Sequence, residues 1–264
     1  MNLNFKEKTV LVTAGSKGIG YELAKQFLIL NANVCICSRN LKNLKKAKNN
    51  LLKFSNPNKL LVIRHDISKT KNQSNLIKKI HKKFNSHVDI LINNSGGPPP
   101  KKIEDLNSND WQKAINSNLL SAITLCKEVL EPMKKKGWGR IINLTSTVAK
   151  EPAKNMVLSN VTRAGLSSFS KTLSIEIAEY GVTVNTILTG GCETDRFINL
   201  VKKSSKNKKD YFKNLKLIAE QSPMKKIAKP EEFVKLIIFL ASKYSSYVNG
   251  TAIAIDGGSS KSIF

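Results

Sequence analysis

Residues 9–20 read Thr-Val-Leu-Val-Thr-Ala-Gly-Ser-Lys-Gly-Ile-Gly, and this stretch decides the fold. Thr9 to Thr13 is a short, β-branched apolar run, which reads as a buried strand. The glycines at 15, 18 and 20 form a tight turn, and Tyr21 to Leu30 then carries apolar residues at helical spacing, with Leu23, Ala24, Phe27 and Leu28 on one face. A Gly-rich turn between a first strand and a first helix brings backbone N–H groups to the positive end of that helix, where a phosphate can be held. Gly15, Ser16, Lys17, Gly18, Ile19 and Gly20 are therefore candidates for phosphate contact.

The pattern repeats outward from this unit. Further strands are expected at Asn33–Cys37, Leu60–Ile63, Val88–Ile92, Arg140–Leu144, Thr183–Leu188 and Thr251–Ile255. Helices are expected at about 41–54, 72–84, 110–135 and 158–180, and one opening at Pro230-Glu231-Glu232. Pro98-Pro99-Pro100 forces a loop, and the Lys-rich stretch 196–226 reads as the least regular part, a mobile lid. Continuous apolar strands that alternate with helices mean a parallel sheet covered on both faces. The expected fold is α/β, a doubly wound seven-stranded parallel sheet. With no repeat, linker or composition break, residues 1–264 read as one domain, with 192–226 as a substrate lid within it.

Composition narrows the function. The chain has 264 residues and 44 Lys+Arg against 19 Asp+Glu, a formal net charge of +25. The lysines are scattered along the chain and aromatics are only 6%, whereas nucleic-acid modules concentrate charge on one face and interleave aromatics. A nucleic-acid partner is therefore not expected, and the charge reads as general surface. No apolar run approaches the roughly 20 residues a membrane helix needs. The opening stretch, with Lys6, Glu7 and Lys8 leading straight into a strand, does not read as a signal peptide. Cys35, Cys37, Cys126 and Cys192 form no CxxC pair, and His65, His81 and His87 have no ligand spacing, so a reducing cytoplasm and no metal are expected.

Charge also speaks to the cofactor. In dinucleotide folds an acid at the end of the second strand holds the ribose 2′-OH. Here that stretch is Cys37-Ser38-Arg39-Asn40, without an acid. Arg39 can fork onto a 2′-phosphate and Lys17 adds a second cation, which favours NADP(H) over NAD(H). Asp66 reads either as a partner for an adenine amino group or as a cap before Ser68.

At this level of detail the chain resembles the short-chain dehydrogenase/reductase family, whose fold is Rossmann-type. Thr13 to Gly20 resembles its TGxxxGIG loop, with Ala14 where Gly is usual, and Asn93-Asn94-Ser95-Gly96 is similar to its NNAG motif. Asn118-Leu119, Thr183-Val184-Asn185, Pro230-Glu231-Glu232 and Val248-Asn249-Gly250 through Asp256-Gly257-Gly258 follow in the family's order. The run Gly139 to Ser146 also resembles 3-oxoacyl-acyl-carrier-protein reductases.

The resemblance implies a hydride-transferring oxidoreductase acting on a carbonyl/alcohol pair, a homodimer or homotetramer. It implies Asn118 and Ser146 as catalytic residues. It places cofactor contacts at the 15–20 loop, Ser38, Arg39, Asp66, Ile67, Asn93, Ser95, Gly96, position 163 and Thr194. The family then uses a Tyr and a Lys, at positions that fall here on Ser159 and Arg163. No Tyr lies between Tyr21 and Tyr180, and Ala164-Gly165 keeps the register, so the departure is real. Thr189-Gly190 likewise stands for the usual Pro-Gly. Asn93-Asn94-Ser95-Gly96-Gly97-Pro98 with Ser159-Asn160 and Arg163 resembles an atypical branch carrying NNxGGP and SNxxR. An aliphatic hydroxyl is a far weaker acid than a phenol, whose pKa is about 10. Arg163 keeps a cation near Ser159 but does not release a proton. The primary expectation is an NADP(H)-dependent oxidoreductase with an atypical proton source, and the alternative is an NADP(H)-binding sensor or scaffold.

The helix residues Val161, Leu166, Phe169, Leu173 and Ile177 form an apolar stripe that suits either a core or a subunit interface. Cys192 lies by the lid and is a candidate reactive thiol, though Cys35 and Cys37 read as core fillers.

Overall fold

The computed structural model describes residues 3–263. Seven strands, β1 (Thr9–Thr13), β2 (Asn33–Ser38), β3 (Leu60–Arg64), β4 (Ile90–Asn93), β5 (Gly139–Leu144), β6 (Val182–Thr189) and β7 (Ala252–Ile255), form one sheet in the order β3-β2-β1-β4-β5-β6-β7. Every pairing is parallel. The helices are α1 (Gly18–Ile29), α2 (Leu41–Leu51), α3 (Gln73–Phe84), α4 (Ser108–Ile115), α5 (Ser121–Lys136), α6 (Val157–Glu176), α7 (Asp195–Lys203), α8 (Lys208–Gln221) and α9 (Pro230–Leu240). The direction of winding reverses between β1 and β4, which opens a crevice at the carboxyl ends of the strands.

Alternate residues of each strand feed two cores. Val10, Val12, Val34 and Ile36 pack with Leu23 and Phe27 of α1, Leu44 of α2 and Ile237 of α9. Leu11, Cys35 and Cys37 point the other way, onto Ile80 of α3 and Leu125 and Val129 of α5. The central strands β1, β4, β5 and β6 are buried on both faces, so they cannot alternate apolar with polar along their length, and this is why they read as continuous apolar runs. Leu166, Leu173 and Ile177 of the α6 stripe are core, whereas Val161 is 49% exposed.

Three elements differ from the sequence reading. The expected single helix over 110–135 is α4 and α5 joined by a π turn, Asn116–Leu120, which displaces the register at Asn118. The expected helix over 158–180 stops as α at Glu176 and finishes as a 3-10 turn, Ala178–Tyr180. The stretch read as irregular forms α7 and α8. Thr194 caps the first, its Oγ1 accepting from Phe197 N, and Asn207 caps the second, its side chain accepting from Asp210 N. These helices hid because α8 buries none of its residues, so lysines fill positions where an apolar stripe would have shown.

Buried polar groups tie the layers together. Asn93 Nδ2 donates to Asn143 Oδ1 at 2.8 Å, and Asn143 Nδ2 donates to Ser170 Oγ at 2.7 Å, linking β4, β5 and α6. Two of the sequence motifs bond to each other: Asn185 Nδ2 donates to Val248 O, and Val184 N donates to Asn249 Oδ1. Asp89, 2% exposed, accepts from Thr9 N at 2.8 Å and pairs with Lys136 Nζ at the end of α5. Its backbone also bonds Thr9 and Arg140, so one residue registers the starts of β1, β4 and β5.

Removing that carboxylate leaves Thr9 N unpaired in the interior. Asp89→Ala is expected to lower unfolding free energy by about 2–4 kcal/mol, seen as a lower urea midpoint at unchanged slope. A loss under about 0.5 kcal/mol would remove Asp89 from this role.

Candidate active site

The crevice begins at the loop after β1. Gly15 N donates to Cys37 O, fastening the loop to the end of β2. A Cβ at Gly15 would meet Ile36 at 2.8 Å, and one at Gly20 would meet Asn94 Nδ2 at 2.6 Å, so both glycines answer to close packing. Gly18 has φ +55°, a left-handed conformation natural to glycine. Ala14 holds φ 47° without that freedom, at a cost of order 1 kcal/mol. Ala at this place departs from the family's Gly, yet the chain keeps the left-handed turn.

Two cavities share this loop. The larger, about 550 Å³, is lined by Ser16, Lys17, Ser38, Arg39, Asp66 and Ile67 and continues to Ser95 and Gly96. The second, about 380 Å³, shares Ala14, Lys17, Ser95, Gly96 and Gly97 with it and adds Gly18, Ile19, Ser146, Ser159, Arg163 and Thr194. Each lies in the range of small-molecule and cofactor sites. Their common wall makes a path from Arg39 to Ser146.

The second cavity places hydroxyls beside a buried cation. Ser146 follows β5, and Ser159 and Arg163 lie in the first turns of α6. Among the described residues neither the Ser146 nor the Ser159 hydroxyl hydrogen-bonds to protein, although Ser159 is 5% exposed. Arg163 is 6% exposed. Its Nη1 donates to Leu144 O at 2.7 Å, its Nη2 to Ser95 O at 3.5 Å, and its Nε has no partner. Burial, with a further push from the charge of Arg196, lowers its pKa to about 10, still well above neutrality.

The other expected residues have these protein partners. Asn93 is inside the sheet end, bonded to Asn143 and to Cys126 Sγ, and faces neither large cavity. Asn118, on the π turn, donates to Ala114 O and Ser117 Oγ and accepts from Ser95 Oγ at 3.0 Å. It therefore holds Ser95 in place and does not line the Ser146 cavity. Asp66 accepts from the N and Oγ of Ser68, the turn-capping alternative, while still lining the Arg39 cavity. Arg39 is exposed at the edge of that cavity, its carbonyl accepting from Arg64 Nε. Lys17 is paired: its Nζ lies 2.6 Å from Asp195 Oδ2, both side chains about half exposed. Cys192 is 7% exposed, and burial, reinforced by Glu231, Glu193 and Glu232, pushes its thiol up to about 12, so it is not a poised nucleophile.

Sequence reasoning missed Arg196. Its guanidinium crosses the loop after β4, with Nη1 donating to Gly97 O and Nη2 donating to Pro98 O at 3.0 Å. A Cβ on Gly97 would come within 2.9 Å of it, so the second glycine of Gly96-Gly97 makes room for this side chain. Met156, Phe197 and Leu200 complete the apolar side of the cavity. In a chain with 44 Lys+Arg, one more arginine in an unpatterned segment carried no signal.

The match to known proteins runs the length of the chain. Residues 13–260 fit the family model described as enoyl-(acyl carrier protein) reductase. The chain is 33% identical over 261 residues to the NADPH-dependent reductase BacG of Bacillus subtilis (strain 168), covering 97% of this chain and 99% of that one. It is 32% identical over 251 residues to the 3-oxoacyl-(acyl-carrier-protein) reductase FabG of Chlamydia trachomatis, covering 95% and 96%. Among solved structures it superposes on YwfH, an NADPH-dependent reductase involved in bacilysin biosynthesis, with TM-score 0.90, 32% identity, and 98% and 100% of the two chains covered. On L-sorbose reductase from Gluconobacter frateurii, complexed with NADPH and L-sorbose, the TM-score is 0.93 at 28% identity, with both chains wholly covered. The parallel sheet, the glycine turn at its switch point and this likeness from end to end make the chain a member of the short-chain dehydrogenase/reductase family.

Proposed function

We propose that the protein is an NADP(H)-dependent oxidoreductase that interconverts a carbonyl and an alcohol, or a similar pair, without the family's tyrosine. The observation that carries this reading is the continuous path from Arg39, at an acid-free strand end, to the two unpaired hydroxyls beside Arg163. The relatives named above as NADPH-dependent support the cofactor. When bound, the dinucleotide supplies or accepts the hydride.

The residues present suit that group. The glycine turn at the α1 N-terminus receives the diphosphate, with Ser16, Lys17, Gly18 and Ile19 around it. Arg39 and Ser38 take the 2′-phosphate, and Asp66 and Ile67 flank the adenine. Ser95, Gly96, Arg163 and Thr194 lie toward the nicotinamide end. Ser146 donates a hydrogen bond to the reacting oxygen, and the nearby positive charge of Arg163 stabilises negative charge that develops there. Ser159 is too weak an acid to replace a tuned phenol. Its hydroxyl instead holds a water that delivers the proton. Asn118 serves as a positioning residue through Ser95. The segment 192–226 acts as the lid of a one-domain enzyme, the exposed Val161 and Ile175 of α6 suit a homodimer or homotetramer, and the four unpaired cysteines suit the cytoplasm.

Cofactor choice is tested by calorimetric titration. NADPH is expected to bind at least about tenfold more tightly than NADH, with Arg39→Gln bringing the two close to parity. Equal binding by the unaltered protein would overturn the NADP(H) assignment.

Turnover is tested by following NADPH absorbance across a panel of ketones, aldehydes and activated alkenes. Ser146→Ala should cut kcat on any substrate found by about 10²–10³-fold while NADPH affinity holds. Activity that survives this change denies Ser146 its role. One observation favours a second reading, binding without turnover: no tyrosine lines either large cavity. On that reading the unaltered protein binds NADPH but is inert across the panel, and the pair Ser159→Tyr with Arg163→Lys gains ketone reductase activity.

A further inference from the structure

Two guanidinium groups converge on the loop 95–98. Arg163 reaches it from α6 through Ser95 O, and Arg196 reaches it from α7 through Gly97 O and Pro98 O. Both line the cavity that holds Ser146. Their partners are neutral carbonyls, which orient the guanidinium planes but cancel no charge. Among the described residues, the cavity's one carboxylate is that of Asp195, and it is paired with Lys17. Arg163 moreover has a buried Nε–H with no acceptor. Arg163 is buried and Arg196 is exposed at the same cavity. A buried cation without a counter-charge is costly, and an anion between the two guanidinium groups would compensate Arg163 while remaining within reach of Arg196. The strain shows in the lowered pKa of Arg163, part of which comes from Arg196.

The same cavity also has apolar lining, from Met156, Phe197 and Leu200. A ligand that satisfies both kinds of lining has an anionic head and an apolar remainder. Beyond the site, the net charge of +25 favours the approach of anions in general.

We propose that Arg196, seated on the 95–98 loop beside Arg163, forms an anion subsite that receives the carboxylate of the substrate, so that the carbonyl presented to Ser146 belongs to an oxo acid. This rests on the functional reading above and specifies the substrate class. Arg196 acts as the specificity residue. Arg163 adds its field and keeps its contacts to Leu144 and Ser95. The diphosphate of the cofactor is the other anion with the chemistry to fill this place, and the experiment separates the two sources.

The test is calorimetry on the full chain, first with NADP+ and then, on the NADP+-loaded protein, with 2-oxohexanoate and its methyl ester. The pair shares a skeleton and differs in the negative charge. The oxo acid is expected to bind at least about tenfold more tightly than the ester. Arg196→Gln should erase that preference, leave the ester and NADP+ within about twofold of the unaltered protein, and leave the helical circular dichroism unchanged. Arg196→Lys should restore part of the preference, since it keeps the charge and loses the fork. Equal binding of the two probes, or binding of neither, overturns the subsite while leaving NADP(H) binding intact. If Arg196→Gln instead weakens NADP+ and leaves the acid-over-ester preference, the anion is the diphosphate and the proposal fails. A protein that does not bind NADP+ at all refutes the functional reading beneath it.

Discussion

Thr13 and Asn94 exchange two hydrogen bonds, and the site is built around them. Thr13 Oγ1 donates to Asn94 O at 2.6 Å and accepts from Asn94 N at 2.8 Å. This clasp joins the carboxyl ends of β1 and β4, the two strands from which the chain winds in opposite directions. At such a switch point the loops diverge, and the backbone there has no neighbouring strand to bond. A threonine hydroxyl, which can donate and accept, supplies the missing pairing. The glycine turn, the 95–98 loop and the helix end of α1 are then held at fixed distances along one crevice.

The second constraint is charge in a dry place. Arg163 is 6% exposed and lines the cavity that holds Ser146. It is anchored by backbone carbonyls at two points and shares its cavity with the hydroxyls of Ser146 and Ser159. The guanidinium stays charged there even though burial lowers its pKa to about 10.

The same principle separates the informative cations from the rest. Most of the 44 Lys+Arg belong to the surface, where isolated ion pairs contribute little. The lysines paired by i,i+3 or i,i+4 spacing, such as Lys134 with Glu131 and Lys216 with Glu220, are of this kind. Arg39, Arg163 and Arg196 differ because loops and helix turns bring them to one crevice. The family resemblance already placed Arg39 and position 163 at the cofactor site, whereas nothing in the sequence singled out Arg196.

Residues 9–20 by themselves determined the first strand, the phosphate turn and the helix after it, because each rests on local rules of periodicity and backbone freedom. The seven strands were legible for the related reason that a sheet buried on both faces must be apolar throughout. The absence of an acid beside Arg39 and the presence of Ser159 and Arg163 were likewise plain, since they are matters of residue identity. What only the tertiary structure decided is where side chains end up when distant segments meet. It joined Asn93 to Asn143 and Asn118 to Ser95 by hydrogen bonds, and paired Lys17 with Asp195. It also gave the lysine-rich stretch two helices and brought Arg196 over Gly97. These outcomes depend on which hydrogen-bond partners lie within about 3 Å in space, a quantity that local sequence does not contain.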